Sequence, residues 1–362
     1  MTRLVCCALL VGMSSCHAPE GNKPALALGR AIDLEYLGTV RAEEAPTGLS
    51  WSSDGSSIAL STYRDVGSAS LEQLQQAGGS VDAQLWKSSG TIATGHPALG
   101  PFLLAGDDGI SVVDKNGEER SKLGRYQHVR CGALHLSSDG QQLLIHDGLS
   151  GLRVVENDEV FRPEGGLLLA TQPPHSWNVL EELFVRPVQD VIWLENPNRL
   201  MCAWIGGAHG ESGGIVVFDL EGNLVQQRSW QQLEGRPRSL LLSPNGERLI
   251  ASISPYYADR ASYSPRIIEL DLRTLEILRS EPRPAVAPEL IFLDDATLLA
   301  VHPMTPLAQL ELWDAATLSA RRSLEIVVGF PWVVSPDLEH LALASSEGAR
   351  IYRIVREAPQ AD

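Results

Sequence analysis

SPNGERLIASIS (243–254) has near copies at three other places in the chain: SSDGSSIALST (52–62), SSDGQQLLIHD (137–147) and SPDLEHLALAS (335–345). Each copy is a tight turn followed by an apolar run, and the first is also preceded by one, SLLL (239–242). Asn-Gly and Asp-Gly supply the positive φ that short hairpin turns require. The stretch therefore predicts two antiparallel strands joined closely. A second recurring stretch follows the first. IVVFDLEGNLVQ (215–226), IIELDLRTLEIL (267–278), LELWDAATLSAR (310–321) and ISVVDKNGEERS (110–121) each place an aspartate between two strands. Asp219, Asp271, Asp314 and Asp114 are expected to accept backbone hydrogen bonds in those turns.

Two consecutive hairpins make a four-stranded unit. Seven such units can be placed, at 46–95, 96–125, 129–165, 187–230, 236–281, 286–325 and 329–356. Asn245 and Asp295 are 50 residues apart and Asp295 and Asp337 are 42 apart. A period of this size built from four strands points to a β-propeller rather than a helical solenoid. The last unit, VVSPDLEHLALASSEGARIYRIV (333–355), holds only three strands, whereas IDLEYLGTV (32–40) precedes the first unit and belongs to no hairpin there. Pairing the two ends removes two exposed sheet edges. The expected fold is all-β: a seven-bladed β-propeller of four-stranded antiparallel blades, closed by an N-terminal strand that completes the last blade.

The repeats resemble the WD40-like β-propeller superfamily, including bacterial variants with SPDG-type turns. LWD at 312–314 comes nearest to the family's Trp-Asp signature, and LWK at 85–87 echoes it in part. The Gly-His dipeptide that opens eukaryotic WD40 blades is absent from the matching places. The second unit, with PFLLAGDDG (101–109), lacks a clean Ser-x-Asp-Gly turn, which leaves six or eight blades open.

Of the 362 residues, 44% are hydrophobic, enough for one large core or two modest ones. The formal net charge of −16 repels nucleic acid phosphates and anionic headgroups. Only Lys23, Lys87, Lys115 and Lys122 are lysines, and the arginines form no stripe, so no nucleic acid partner is expected.

The first residues, MTRLVCCALLVGMSSCHAPEG, have a basic start, a short apolar run and then small residues, the layout of a secretory signal too short to span a bilayer. Met13-Ser14-Ser15-Cys16 resembles the bacterial lipoprotein cleavage box, with methionine in place of the usual leucine. That resemblance implies a lipidated Cys16 and a chain anchored in the bacterial cell envelope. The organisation would then be a signal peptide at 1–15, a tether at 16–31, the propeller at 32–356 and a tail at 357–362. His17 after the cysteine points to the outer membrane where there are two. An ordinary cleaved signal, or initiation at Met13 giving a cytoplasmic protein, are the alternatives. Once the signal is removed, Cys131 and Cys202 remain beside Cys16. Only these two could form an internal disulfide, but they fall in different repeats and are expected as buried thiols, free cysteine behaving as a small hydrophobe, and no CxxC or zinc spacing occurs.

The propeller resemblance implies that second-to-third-strand loops and blade-to-blade loops share one rim, opposite the SPNG-type turns. The long stretches assigned to that rim are 63–82, 206–214, 254–265, 302–309 and the inter-blade 171–187. Loops of this length are uncommon in compact folds unless they bind something or are disordered. Within them Tyr256, Tyr257, Arg260, Tyr263 and Arg266, with Arg64 and Trp177, are residue types enriched at binding hot spots. The alternative is that the tyrosines simply pack and hold the loop. SLEQLQQAG (70–78) reads as a short helix with Leu71 and Leu74 on one side.

GESGG (210–214) matches G-x-S-x-G, but a strand rather than a helix follows Ser212 and no His or Asp partner can be assigned, so no catalytic residue is expected. His135 and His146 face each other across one hairpin without completing a metal site. Some propellers of the lactonase type hold a divalent metal in the channel, and the innermost strands here begin near Arg130, Asp190, Arg238, Glu289 and Trp332. The expectation is a monomeric, non-enzymatic, envelope-anchored scaffold without cofactor. It would bind a protein or peptide through its loop rim, in outer-membrane assembly or adhesion among other settings. A metal-dependent channel hydrolase of the lactonase type is the alternative.

Overall fold

The computed structural model describes residues 32–86, 90–96, 100–106, 109–124, 131–136, 142–147, 152–155, 158–161, 167–171, 178–184, 188–194, 199–204, 213–219, 223–254, 265–283, 288–302, 309–325 and 329–356. Among these the chain is all-β, with one five-stranded and six four-stranded sheets, a two-stranded ribbon and a single short helix. This repeated architecture is compatible with propeller blades. The sheets are numbered I to VII by their first strands: Gly48–Trp51, Thr91–His96, Cys131–Leu136, Val188–Leu194, Arg236–Leu242, Glu289–Asp294 and Gly329–Val334.

The recurring serine turn is built the same way three times. Ser243 Oγ donates to Asn245 Oδ1 (2.6 Å) and accepts from Arg248 N (2.9 Å), while Glu247 N donates to Asn245 Oδ1 (3.0 Å) and Gly246 N to Ser243 O (2.8 Å). Ser52 with Asp54, and Ser335 with Asp337, repeat each bond. The serines are buried, and a hydroxyl there satisfies a backbone N–H that water cannot reach. The fourth position takes positive φ: 70° at Gly55, 71° at Gly246 and 59° at Leu338. The aspartate turns work as expected too. Asp271 Oδ1 accepts from Arg273 N and Thr274 N, Asp114 Oδ1 from Asn116 N and Glu118 N, Asp219 Oδ1 from Asn223 N, and Asp314 Oδ1 from Thr317 N.

In sheets V, VI and I the second strands, Leu249–Ser254, Thr297–Val301 and Ser57–Ser61, are buried at every residue. Outer strands such as Ile277–Pro282 alternate instead. Successive sheets share apolar cores. Met201, Val217, Ala251 and Ile268 join IV to V, and Ile267, Phe292 and Trp313 join V to VI. Leu299, Leu312, Leu341 and Leu343 join VI to VII, Trp51, Leu60 and Ile351 join VII to I, and Ala59, Trp86 and Phe102 join I to II. The first strands of II and III also lie against one another.

The strand Ile32–Arg41 pairs antiparallel with the last strand, Gly348–Arg356, in sheet VII, from Ile32↔Arg356 to Arg41↔Gly348. Its other edge is covered as well: Thr39–Arg41 pairs in parallel with Ser80–Asp82, a segment that follows sheet I's third strand. Gly38 (φ 148°) permits this approach, since a Cβ there would stand 2.3 Å from Gly79 O.

Three expectations are corrected. The stretch 63–82 is not a long loop: Thr62–Asp65 is a tight turn, and Val66–Ser70 is the buried third strand. Its small residues hid it from an apolar-run reading, yet smallness is what the packing needs, since a Cβ on Gly67 would sit 3.0 Å from Gln84 O. The expected helix does form, at Leu71–Gln76, with a Ser70–Gln73 capping box and Leu74 buried. It lies by the Asp54-Gly55 turn, Leu71 N donating to Ser56 O, and so at the end opposite the loops. Thr91–His96, assigned to the first unit, opens sheet II. Sheet III extends to residue 184: a hairpin, Leu152–Val155 with Asp158–Phe161, is inserted between its second and third strands, and 178–184 is its fourth strand rather than an inter-blade loop.

Candidate functional site

The first strands of neighbouring sheets are clasped side by side. Asp190 on IV accepts Val191 N at Oδ1 (2.8 Å) and Leu240 N of V at Oδ2 (2.7 Å). Glu289 on VI accepts Trp332 Nε1 of VII (2.7 Å). Trp51 Nε1 of I donates to Val333 O of VII (3.3 Å), and the Ser50 and Thr94 hydroxyls link I to II (3.0 Å). The register skips Gln189 on IV and Arg238 on V, a bulge at the same place in both strands.

The structure therefore brings together four of the residues expected at the inner strands: Asp190, Arg238, Glu289 and Trp332. Burial pushes the Asp190 carboxyl up to about 6 against the pull of its two backbone N–H donors, with the charge of Glu289 adding to the rise. Burial also raises Glu289, opposed by Trp332 and by the charge of Arg238. Both oxygens of Asp190 are spent on backbone amides, so its geometry is that of a strand clasp. Cys202, one strand behind, is a fully buried free thiol whose pKa burial raises. Arg130 lies outside the described residues.

Where the second strands run out into the loops, at the same end as the starts of the first strands, stand polar pairs that sequence reasoning missed. His302 Nε2 meets Glu311 Oε2 at 3.0 Å, and Trp313 Nε1 donates to the same oxygen at 2.8 Å. The hydrogen bond to His302 keeps Glu311 below the usual glutamate range, against the effect of burial. The Arg283 guanidinium stacks 3.8 Å from the Trp313 ring centre and donates to Leu318 O. These groups stand where the chain enters and leaves the segments 284–287 and 303–308. The available signal was a histidine directly after an apolar strand and a glutamate two positions before the LWD tryptophan.

Arg266 pairs with Glu234, with 16% of its side chain exposed, and so anchors the base of the 255–264 segment. Arg64 is exposed on the Thr62–Asp65 turn and pairs with Glu44 at 3.2 Å. Beside it Tyr63 is 89% exposed. Tyr256, Tyr257, Arg260, Tyr263, Trp177, Ser212 and Cys16 lie outside the described residues. The register sets His146 opposite Ala133 and His135 opposite Leu144, so the two histidines are diagonal rather than paired. Asp337, Glu339 and His340 come within 4.8 Å of one another, but they belong to a serine turn whose own bonds engage Asp337. Among the described residues no helix is long and apolar enough to cross a membrane.

No family model and no curated protein matches this chain.

Proposed function

We propose that the sheets close into a seven-bladed propeller of the WD40-like kind, sealed by Ile32–Arg41, and that its loop rim binds a protein or peptide partner. One observation carries this reading: the asymmetry between the two ends. At one end the described connections are short turns locked by serine and aspartate side chains, except in sheet I, where the helix Leu71–Gln76 comes between the third and fourth strands. At the other, 148–166, 205–213, 255–265 and 302–308 separate second from third strands in sheets III to VI, whereas sheets I and VII turn tightly there, at Thr62–Asp65 and Ser345–Gly348. Connections of this length are uncommon in compact folds unless they bind something or are disordered, and binding is the reading we propose. Lipidation at Cys16 would tether the scaffold to the envelope.

The test replaces 255–264 with a Gly-Ser linker and compares cross-linked partners in envelope extract. Loss of specific partners at unchanged thermal stability supports the rim; identical recovery refutes it. The channel hydrolase of the lactonase type draws on the two raised carboxylates, Asp190 and Glu289. Stoichiometric divalent metal in the purified protein, lost on Glu289→Gln, would favour it over the scaffold.

A further inference from the structure

We infer that a recess at the loop end of sheet I receives a lysine or arginine side chain of the protein partner. The inference rests on the rim reading above and adds the chemistry that the partner brings. Ala42, Leu60 and Leu85 give the recess apolar walls, and Glu43, Glu44, Thr62, Arg64 and Asp65 surround them. Leu60 is buried, whereas Leu85 is 52% exposed, so the apolar surface continues from the core out to solvent. Such a surface suits the methylene stem of a long cationic side chain, whose charged head stays near water.

The charges around it select the sign of that head. Three carboxylates (Glu43, Glu44, Asp65) face one guanidinium (Arg64), which leaves two negative charges in excess. Arg64 is committed to Glu44, so Glu43 and Asp65 remain to meet an incoming cation. The turn that carries Asp65 is fixed: Thr62 N donates to Asp65 O (2.8 Å), and Arg64 N and Asp65 N both donate to Thr62 Oγ1 (3.2 and 3.1 Å). At its tip Tyr63 offers a solvent-exposed ring to a cation or an aromatic neighbour. The net charge of −16 draws basic partners towards the molecule and repels acidic ones. A shallow site of this kind holds one side chain of a larger partner.

The test uses the full chain and a fluorescein-labelled peptide, Ala-Lys-Arg-Lys-Ala, read by anisotropy. A neutral analogue carries acetyl-lysine and citrulline at the same positions. Wild type should bind the basic peptide and not the analogue. Glu43→Gln with Asp65→Asn should weaken binding roughly three- to tenfold, as the loss of two exposed ion pairs implies. A charge-matched control at the opposite end, Glu72→Gln with Glu118→Gln, should change it by less than about twofold, as screening of distant charges requires. Thermal unfolding of both variants checks that the fold is intact. Equal weakening in both variants, equal affinity for the two peptides, or no binding by wild type would each overturn the inference. If it fails while linker replacement of 255–264 still removes partners, the rim reading survives without this recess.

Discussion

Glu35 and Arg353 are register partners on adjacent antiparallel strands, and their side chains form an ion pair of 3.0 Å although 318 positions separate them in the chain. The contact is exposed and contributes little energy on its own. Its value lies in what it reports: the first strand sits in the last sheet in one register, on one face.

That register predicts a cross-link. Glu35→Cys with Arg353→Cys should oxidise to a disulfide, and because the bond ties the two ends of the chain it should stabilise the fold by about 2–4 kcal/mol. Glu35→Cys with Ile354→Cys places the thiols on opposite faces and should not cross-link. Non-reducing electrophoresis and denaturant unfolding distinguish the two. Equal oxidation of both pairs would mean that the strand has no fixed register.

The serine turns predict a position-specific cost. Ser243→Ala removes the acceptor of Arg248 N and the donor to Asn245 Oδ1 in a buried place, and should destabilise by about 1–3 kcal/mol. The Ser53 hydroxyl takes no part in its turn, so Ser53→Ala should stay within about 0.5 kcal/mol of wild type. Urea unfolding of the two variants would measure this, and matching losses would show that the repeated serine is not a structural requirement.

Asp190 predicts an unusual pH dependence. Its folded pKa of about 6 lies above the ordinary 3.8, so the folded state holds the proton more tightly than the unfolded one. Its contribution to stability is therefore fullest below about pH 4, is lost as pH rises to about 6 and is flat above. Asp190→Asn cannot titrate, so the variant should gain on wild type across that window, by up to about 3 kcal/mol. Parallel stability profiles from pH 4 to 7 would contradict the burial argument.

The strands and turns were legible wherever the sequence pattern and the physical need coincide. Ser, Asp or Asn, and Gly at fixed offsets are the groups that close those turns, and the missing fourth strand of the last unit was a deficit that only Ile32–Arg41 was free to fill. Legibility ended where strands lack an apolar run. Val66–Ser70 is buried through small residues, and Thr91–His96 is short and polar, so the boundary between the first two units was misplaced. The hairpin at 152–161 read as part of a unit because its local pattern is that of any other hairpin; only the long-range pairing of Leu167–Thr171 with Gln142–Asp147 reveals it as an insertion. At the rim, single polar residues such as His302, Glu311 and Arg283 carry no period. His302 and Glu311 meet across the adjacent second and third strands of VI, and Arg283, which follows the fourth strand of V, reaches Trp313 only because V packs against VI, a meeting that no local window contains.

The central claim is that the sheets circle one axis. Shared cores run from IV through VII and I to II, and the first strands of II and III touch, so the ring depends on III meeting IV. The direct measurement is a pulsed electron–electron distance between spin labels on Gly132→Cys and Gln189→Cys, at the bulges of III and IV, with Gln189→Cys and Arg238→Cys on the adjacent pair IV and V as the reference. A closed ring predicts the same short, narrow distance for both pairs. A markedly longer or broad distribution for the first pair would mean an open row, and would remove the common rim on which the proposed function stands.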